Sequence, residues 1–358
     1  MQMGQRVLLF IMVLAMLSCQ DKEEGGVDIV PVHDGYVRAV DISFLPMVES
    51  RGITFFNQND RPQDALSIFR ESGINTVRIR LWHGPEDVHS SLEEVKAFAE
   101  RVKAEGMHVW LCVHYSDTWA DPGEQKTPQA WTGLQAEALM DSVYAYTRHI
   151  MTEIEPHIIQ IGNEINNGML YPLGSRWDNP EQFKALVREG IGAARSVDST
   201  CKIMIHYAGL EGSASFYELF EDVSYDQIGI SYYPLWHGKD LDVLKNTMSA
   251  LKNDYGKEVI VAETAYPFTL LWNDHTNNIV GEESQLLPDF PASLEGQKDF
   301  FKKIIDLNKE VGGSGVAWWG AAWIAFDGTE STQGSTWENQ ALFDFTNKIT
   351  PAAKVFRD

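Results

Sequence analysis

Eight short apolar runs, separated by longer amphipathic stretches, constrain this chain more than any other feature. They cover residues 37–42, 76–82, 107–114, 157–162, 202–206, 227–233, 257–262 and 315–319. Each is rich in Val and Ile and bounded by Gly, Asn, Asp or Pro, as strands are. Near-continuous hydrophobicity predicts strands buried on both faces, as in a parallel sheet. Between them, residues 64–71, 91–105, 134–154, 180–196, 241–255 and 294–311 carry apolar residues at helical spacing. In the second of these, Ser91 opens the helix, Leu92, Val95, Phe98, Ala99 and Val102 form one stripe, and Gly106 closes it. A shorter helical segment lies around 216–220. This alternation predicts an α/β fold, a single (β/α)8 TIM barrel over residues 36–358. An open doubly wound sheet is the alternative. Against it, no Gly-x-Gly-x-x-Gly follows the first run, and there is no Gly-Lys-Ser/Thr phosphate loop and no internal repeat.

Residues 1–18 read as a targeting segment. Arg6 precedes the apolar run 7–17, which is too short to span a bilayer as a mature helix. The run ends at Ser18-Cys19, which resembles a bacterial lipoprotein signal with Cys19 as the lipidated first residue; an ordinary secretory signal is the alternative. Residues 19–35 form a polar tether with an acidic start. The expectation is an outer-membrane lipoprotein of the bacterial cell envelope, facing outward, monomeric, and touching the membrane only through its lipid. The formal net charge of −22 repels phosphate backbones, so nucleic acid is excluded as a partner and a neutral substrate is expected. Cys112 and Cys201 sit in apolar runs and read as buried free thiols, with no metal-type cysteine spacing.

In such barrels the active site lies at the C-terminal ends of the strands. The residues closing the apolar runs are Asp41; Arg78, Arg80 and Trp82; His114 and Asp117; Asn163 and Glu164; His206; Tyr232, Tyr233, Trp236 and His237; Glu263; and Trp319. Glu164 and Glu263 each abut a buried apolar run, where poor solvation raises a carboxyl pKa. Two carboxylates across one cleft are what glycoside hydrolysis needs: one protonates the leaving oxygen, the other attacks the anomeric carbon. The chain also holds 11 Trp, and Trp often lines clefts that stack on sugar faces.

Longer motifs at these strand ends carry a family resemblance. They are Asp41-Ile42-Ser43, Val77-Arg78-Ile79-Arg80-Leu81-Trp82, His114-Tyr115-Ser116-Asp117-Thr118-Trp119-Ala120-Asp121-Pro122-Gly123 and Gln160-Ile161-Gly162-Asn163-Glu164. Ser231-Tyr232-Tyr233-Pro234-Leu235-Trp236-His237-Gly238 and Glu338-Asn339-Gln340-Ala341-Leu342-Phe343-Asp344-Phe345 belong with them. Together they resemble the endo-β-1,4-galactanases of glycoside hydrolase family 53, over roughly residues 36–350.

The resemblance implies a retaining hydrolase of β-1,4-galactan and type I arabinogalactan, with Glu164 as acid/base and Glu263 as nucleophile. Asn163 would donate to the sugar 2-hydroxyl. Arg78 or Arg80 would hold Glu263 ionised, and Tyr232 or Tyr233 would hydrogen-bond it. His114, His206 and His237 would contact hydroxyls or position Glu164. Trp319 would be the floor at the cleavage point, with Trp82, Trp119 and Trp236 as further cleft walls. Some bacterial members carry a calcium loop patterned Asp-x-Asp-x-His-x-Asn. Setting that pattern on residues 271–277 puts Leu271 and Asn273 at both Asp positions, which argues against a calcium and leaves no cofactor or metal expected. Rival readings are a related barrel acting on mannan or xylan, a glycan-binding surface lipoprotein without catalysis, and a barrel with a phosphorylated substrate; the charge opposes the last.

Overall fold

The computed structural model describes residues 35–357. Cys19 and the targeting segment lie outside the described residues, as does nearly all of the tether. The elements run β1 (Val37–Asp41), α1 (Leu45–Ser50), α2 (Ala65–Glu71), β2 (Thr76–Leu81), α3 (Leu92–Ala104), β3 (His108–Val113), α4 (Ala136–Ile154), β4 (Ile158–Ile161) and α5 (Pro180–Val197). They continue with β5 (Lys202–Ala208), α6 (Ser213–Tyr217), β6 (Gln227–Ser231), α7 (Pro234–His237), α8 (Leu241–Tyr255), β7 (Glu258–Thr264), α9 (Leu294–Glu310) and β8 (Gly315–Trp318). The strands are all parallel, follow chain order and close where β1 pairs β8. The fold is therefore a (β/α)8 barrel. Each apolar run marks one strand, although β5 and β7 each continue two residues past theirs. The short helices α1 and α7 escape sequence reading because four to six residues give no helical period.

Two cores form. One lies between the sheet and the helices, where strand residues such as Val77, Val109, Ile159 and Ile203 meet α-helical stripes. The other is a plug inside the barrel, made of Ala39, Trp110, Ile158, Met204, Ile260, Ala262 and Ala317. Gly229 belongs with that plug, since a Cβ there would sit 2.6 Å from the sulfur of Met204.

Strand side chains alternate, so the residue two steps beyond a plug residue also faces inward. Two steps on from Ala39, Trp110, Ile158, Met204 and Gly229 lie Asp41, Cys112, Gln160, His206 and Ser231. An apolar layer is thus capped by a polar one at the C-terminal mouth. Arg78 seals the boundary, its guanidinium 5.5 Å from the Trp110 ring centroid. The long loops after β7 and β8 complete the rim and lock together: Phe268 N–H donates to Asn339 O at 2.8 Å, and the Asn339 amide donates to Thr269 O and Val280 O at 2.8 and 2.7 Å.

Candidate active site

Glu263 is set by an irregularity. The β6–β7 register pairs Ile230 with Val261 but Ser231 with Glu263, so Ala262 is an extra residue. Such a bulge re-aims the side chain that follows it, and Glu263 turns into the mouth. There Arg78 Nη2 donates to its Oε1 at 2.7 Å and the Tyr233 hydroxyl to its Oε2 at 3.1 Å. The remaining Arg78 donors reach Asp41 at 2.7 Å, Asn163 Oδ1 at 2.8 Å and Gln160 at 3.2 Å. Of the two arginines that sequence could not separate, Arg78 is the one on Glu263.

Arg80 faces elsewhere. It donates to Ser90 at 3.1 Å, approaches His89 at 2.7 Å, and lies 4.0 to 4.7 Å from the ring centroids of Trp119, Trp82 and Phe44. Burial lowers its pKa to about 10. It braces the aromatic wall instead of contacting the carboxylates.

Glu164 follows β4 through a turn in which Gly162 and Glu164 both have positive φ, 78° and 46°. Its Oε1 accepts from the Ser231 hydroxyl at 2.6 Å, and Ser231 meets His206 Nε2 at 2.9 Å. A carboxylate oxygen of Glu164, one of Glu263 and a ring nitrogen of His206 lie within 4.8 Å of one another. Burial first, and the Glu263 charge second, push Glu164 up to about 8. Burial raises Glu263 as well, but Arg78 and the Tyr233 hydroxyl oppose the rise. The proton of the pair therefore rests on Glu164.

These groups line one cleft of about 400 Å³. Asp41, Arg78, Arg80, His114, Trp119 and Asn163 border it with Glu164, Tyr233, Trp236, His237, Glu263 and Trp319. Asn163 donates one amide hydrogen to Ala120 O at 2.9 Å, which leaves the second for a ligand. The Nδ1 atoms of His114 and His237 accept from the backbone N–H of Ala120 and Tyr233, both at 3.0 Å. That fixes Nε2 as the protonated nitrogen in each ring. Burial lowers the His114 pKa well below the ordinary range and that of His237 to about 4, so both are neutral donors.

Four expected residues lie elsewhere. Trp82 and Asp117 border a separate hollow with Pro85, Glu86, Asp87 and Thr118. Trp82 is edge-on to Trp119 at 5.7 Å, and Asp117 accepts from the Gln129 N–H at 2.7 Å. His206 is fully buried beneath the cleft floor and positions Glu164 through Ser231. Tyr232 turns into the barrel wall and donates to Gly238 O at 2.9 Å. Sequence reading missed Trp337, which also lines the cleft and meets Trp319 edge-on at 4.7 Å. Both other cysteines are buried and free, and Cys112 Sγ lies 3.2 Å from Arg78.

The geometry is accompanied by a clear kinship. The glycosyl hydrolase family 53 model matches residues 37–356. The chain belongs to that family. It is 33% identical to the arabinogalactan endo-β-1,4-galactanase of Cellvibrio japonicus, across 96% of this chain and 95% of that protein. It is similar to the family 53 catalytic domain of Ignisphaera aggregans, with 38% identity, a TM-score of 0.85, and 92% and 97% of the two chains covered. A fungal β-1,4-galactanase structure aligns with a TM-score of 0.78 at 28% identity, covering 90% and 98%. This family 53 chain is a glycoside hydrolase.

The loop after β7 alternates. Leu271, His275, Asn277 and Ile279 face solvent, whereas Asp274, Thr276 and Asn278 are buried. The inward set is therefore one step beyond the positions on which the calcium pattern was set, and it includes a carboxylate. Asp274 Oδ2, Asn278 Oδ1 and, from the neighbouring loop, Glu338 Oε2 are buried without a hydrogen-bond partner. Burial and the adjacent Asp274 charge raise the Glu338 pKa. Gly334 allows the close packing, since a Cβ there would stand 2.2 Å from Asp274 Oδ2. Two carboxylates and an amide oxygen are hard donors of the kind calcium takes.

Proposed function

We propose that this protein is a retaining endo-β-1,4-galactanase acting on galactan and type I arabinogalactan, the galactan side chains of pectin, and releasing galacto-oligosaccharides. The observation that carries the mechanism is the approach of Glu164 and Glu263 oxygens within 4.8 Å. Retaining hydrolases hold their carboxyl groups about 5–5.5 Å apart, whereas inverting ones leave about 6.5–9.5 Å for a water. The names of the relatives support the substrate.

In the first step protonated Glu164 gives its proton to the glycosidic oxygen as the carbon–oxygen bond breaks. The Glu263 carboxylate attacks the anomeric carbon and forms a glycosyl ester. In the second step Glu164, now ionised, takes a proton from water, whose oxygen displaces Glu263. Arg78 and Tyr233 keep Glu263 oriented and anionic. The free amide hydrogen of Asn163 serves the sugar 2-hydroxyl, the Nε2–H groups of His114 and His237 serve other hydroxyls, and Trp319 offers a flat floor.

Asp274, Asn278 and Glu338 are the residues that would hold a calcium ion, which would pin the two rim loops together. The apolar run ending at Ser18-Cys19 supports a lipid tether at Cys19. Size analysis of products from unbranched β-1,4-galactan, β-1,4-mannan and β-1,4-xylan tests the substrate. A ladder from galactan alone is expected. Cleavage of another glycan in its place overturns the galactan assignment, and binding without cleavage overturns the enzymatic one.

A further inference from the structure

A second hollow, of about 430 Å³, opens beside the catalytic cleft, and Pro122 borders both. Its wall includes Trp177, a large aromatic left 69% exposed. Trp177 is not a loose surface side chain. Its Nε1–H donates to Asn167 Oδ1 at 3.0 Å, and the Arg176 guanidinium covers one ring face at 4.8 Å from the centroid. Arg176 is in turn fixed to Asn166 O and Ser215 O, both at 3.1 Å.

The loop beneath is equally fixed. Asn167 donates to Pro122 O at 2.9 Å, and the Tyr171 hydroxyl donates to Asn167 O at 2.9 Å. Gly168 and Gly174 let the loop close on itself: a Cβ on the first would lie 2.0 Å from Gly174 O, and on the second 1.9 Å from Met169 O. The free face of Trp177 is thus presented by a rigid support, and rigid aromatics bind at low entropic cost.

We propose that Trp177 stacks a sugar ring of the polysaccharide on the leaving-group side of the cleavage point. This inference rests on the glycanase reading above. The side follows from Glu164, which protonates the departing oxygen and sits at the start of the same β4–α5 loop that carries the hollow. A chain leaving past Glu164 runs along Asp121 and Pro122 towards Trp177. Tyr171, Ser175 and Asp178 supply hydroxyl and carboxylate groups around the ring, which suits a neutral pyranose with an apolar C–H face and polar edges.

The test is Trp177→Ala, with Trp177→Phe as the rescue. On polymeric galactan KM should rise about fivefold for Ala and recover with Phe, since one aromatic stack is worth that much. Hydrolysis of an aryl β-galactobioside, whose small leaving group ends short of the hollow, should change less than twofold. Unchanged KM and product sizes on the polymer overturn the proposal. If wild-type protein cuts mannan or xylan instead, the substrate reading fails and the same comparison on that glycan decides the role of Trp177. If no glycan is cut, calorimetric titration of Glu263→Gln, with and without Trp177→Ala, against the three oligosaccharides decides it; equal affinities overturn it.

Discussion

Arg78 Nη2 lies 2.7 Å from Glu263 Oε1, inside a barrel mouth where both side chains are almost wholly buried. A guanidinium in that position supplies charge and a planar fork, since its other nitrogens hold Asp41, Asn163 and Gln160. Arg78→Lys keeps the charge and loses the fork. We expect kcat to fall by roughly a hundredfold, as for loss of a preorganised donor. Steady-state kinetics alongside a melting curve checks this, and wild-type kcat in a folded variant would remove Arg78 from the mechanism.

The proton on Glu164 sets a pH dependence. With Glu164 raised to about 8, kcat/KM should decline above that pH as the acid ionises. Glu164 is only half-buried, so water in the open cleft tempers the shift and a bound sugar restores it; the limb in kcat should lie higher than that in kcat/KM. Stability carries the same signature. A pKa raised on folding contributes stability in full below the unfolded value and loses it as pH rises through the folded one. Glu164→Gln removes that loss, so its Tm should exceed wild type at pH 8 by about 2–4 °C and match it at pH 4.

Ser231 offers a sharper probe. Its hydrogen bond to Glu164 holds the carboxyl pKa down against burial. Ser231→Ala should move the alkaline limb to higher pH and lower kcat about tenfold, with KM little changed. A limb that stays in place would show that the Ser231 hydroxyl does not tune the acid.

The two carboxylates are distinguished by chemical rescue. Glu263→Gly with azide should yield an α-linked glycosyl azide, because azide enters from the face the carboxylate vacates. Glu164→Gly should yield the β-linked azide from the accumulated ester. Product NMR reads the anomeric configuration, and the reverse assignment would exchange the two roles.

The rim loops give a test that does not depend on turnover. Calcium should raise Tm and a chelator lower it by several degrees, with Glu338→Gln abolishing the response. A Tm indifferent to both would show that Asp274 and Glu338 are satisfied in another way.

Much of this site was legible in sequence because a strand-end residue in a barrel has few places to point. Glu164, Glu263, Asn163 and His114 all followed from that rule, whereas His237 reaches the cleft from α7. Arg78 and Arg80 were not separable, since residues two apart on one strand share a face; the division arises from Ser90 and His89 drawing Arg80 aside. Tyr232 and Tyr233, by contrast, are separated by alternation, since Gly229 and Ser231 face inward and Tyr233 is the next residue in that series. Trp337 lies far from any strand end and reaches the cleft by loop packing, although its place just ahead of the Glu338–Phe345 motif was a usable signal. Which side chains of the rim loop turn inward was not legible either, since alternation reverses completely on a single step and the buried set is Asp274, Thr276 and Asn278.

The left-handed backbone at Glu164 has a consequence beyond the aim of its side chain. An L-residue held at φ 46° costs roughly 1 kcal/mol that glycine would not, and the half-buried acid adds its own penalty as pH rises towards 8. The acid of the pair is therefore held in place against the preference of its own backbone. A glycine at that position would relieve the backbone and end turnover, while the tryptophan-lined groove would stay intact. In a chain so altered, what the barrel would keep is the capacity to hold a sugar without cutting it.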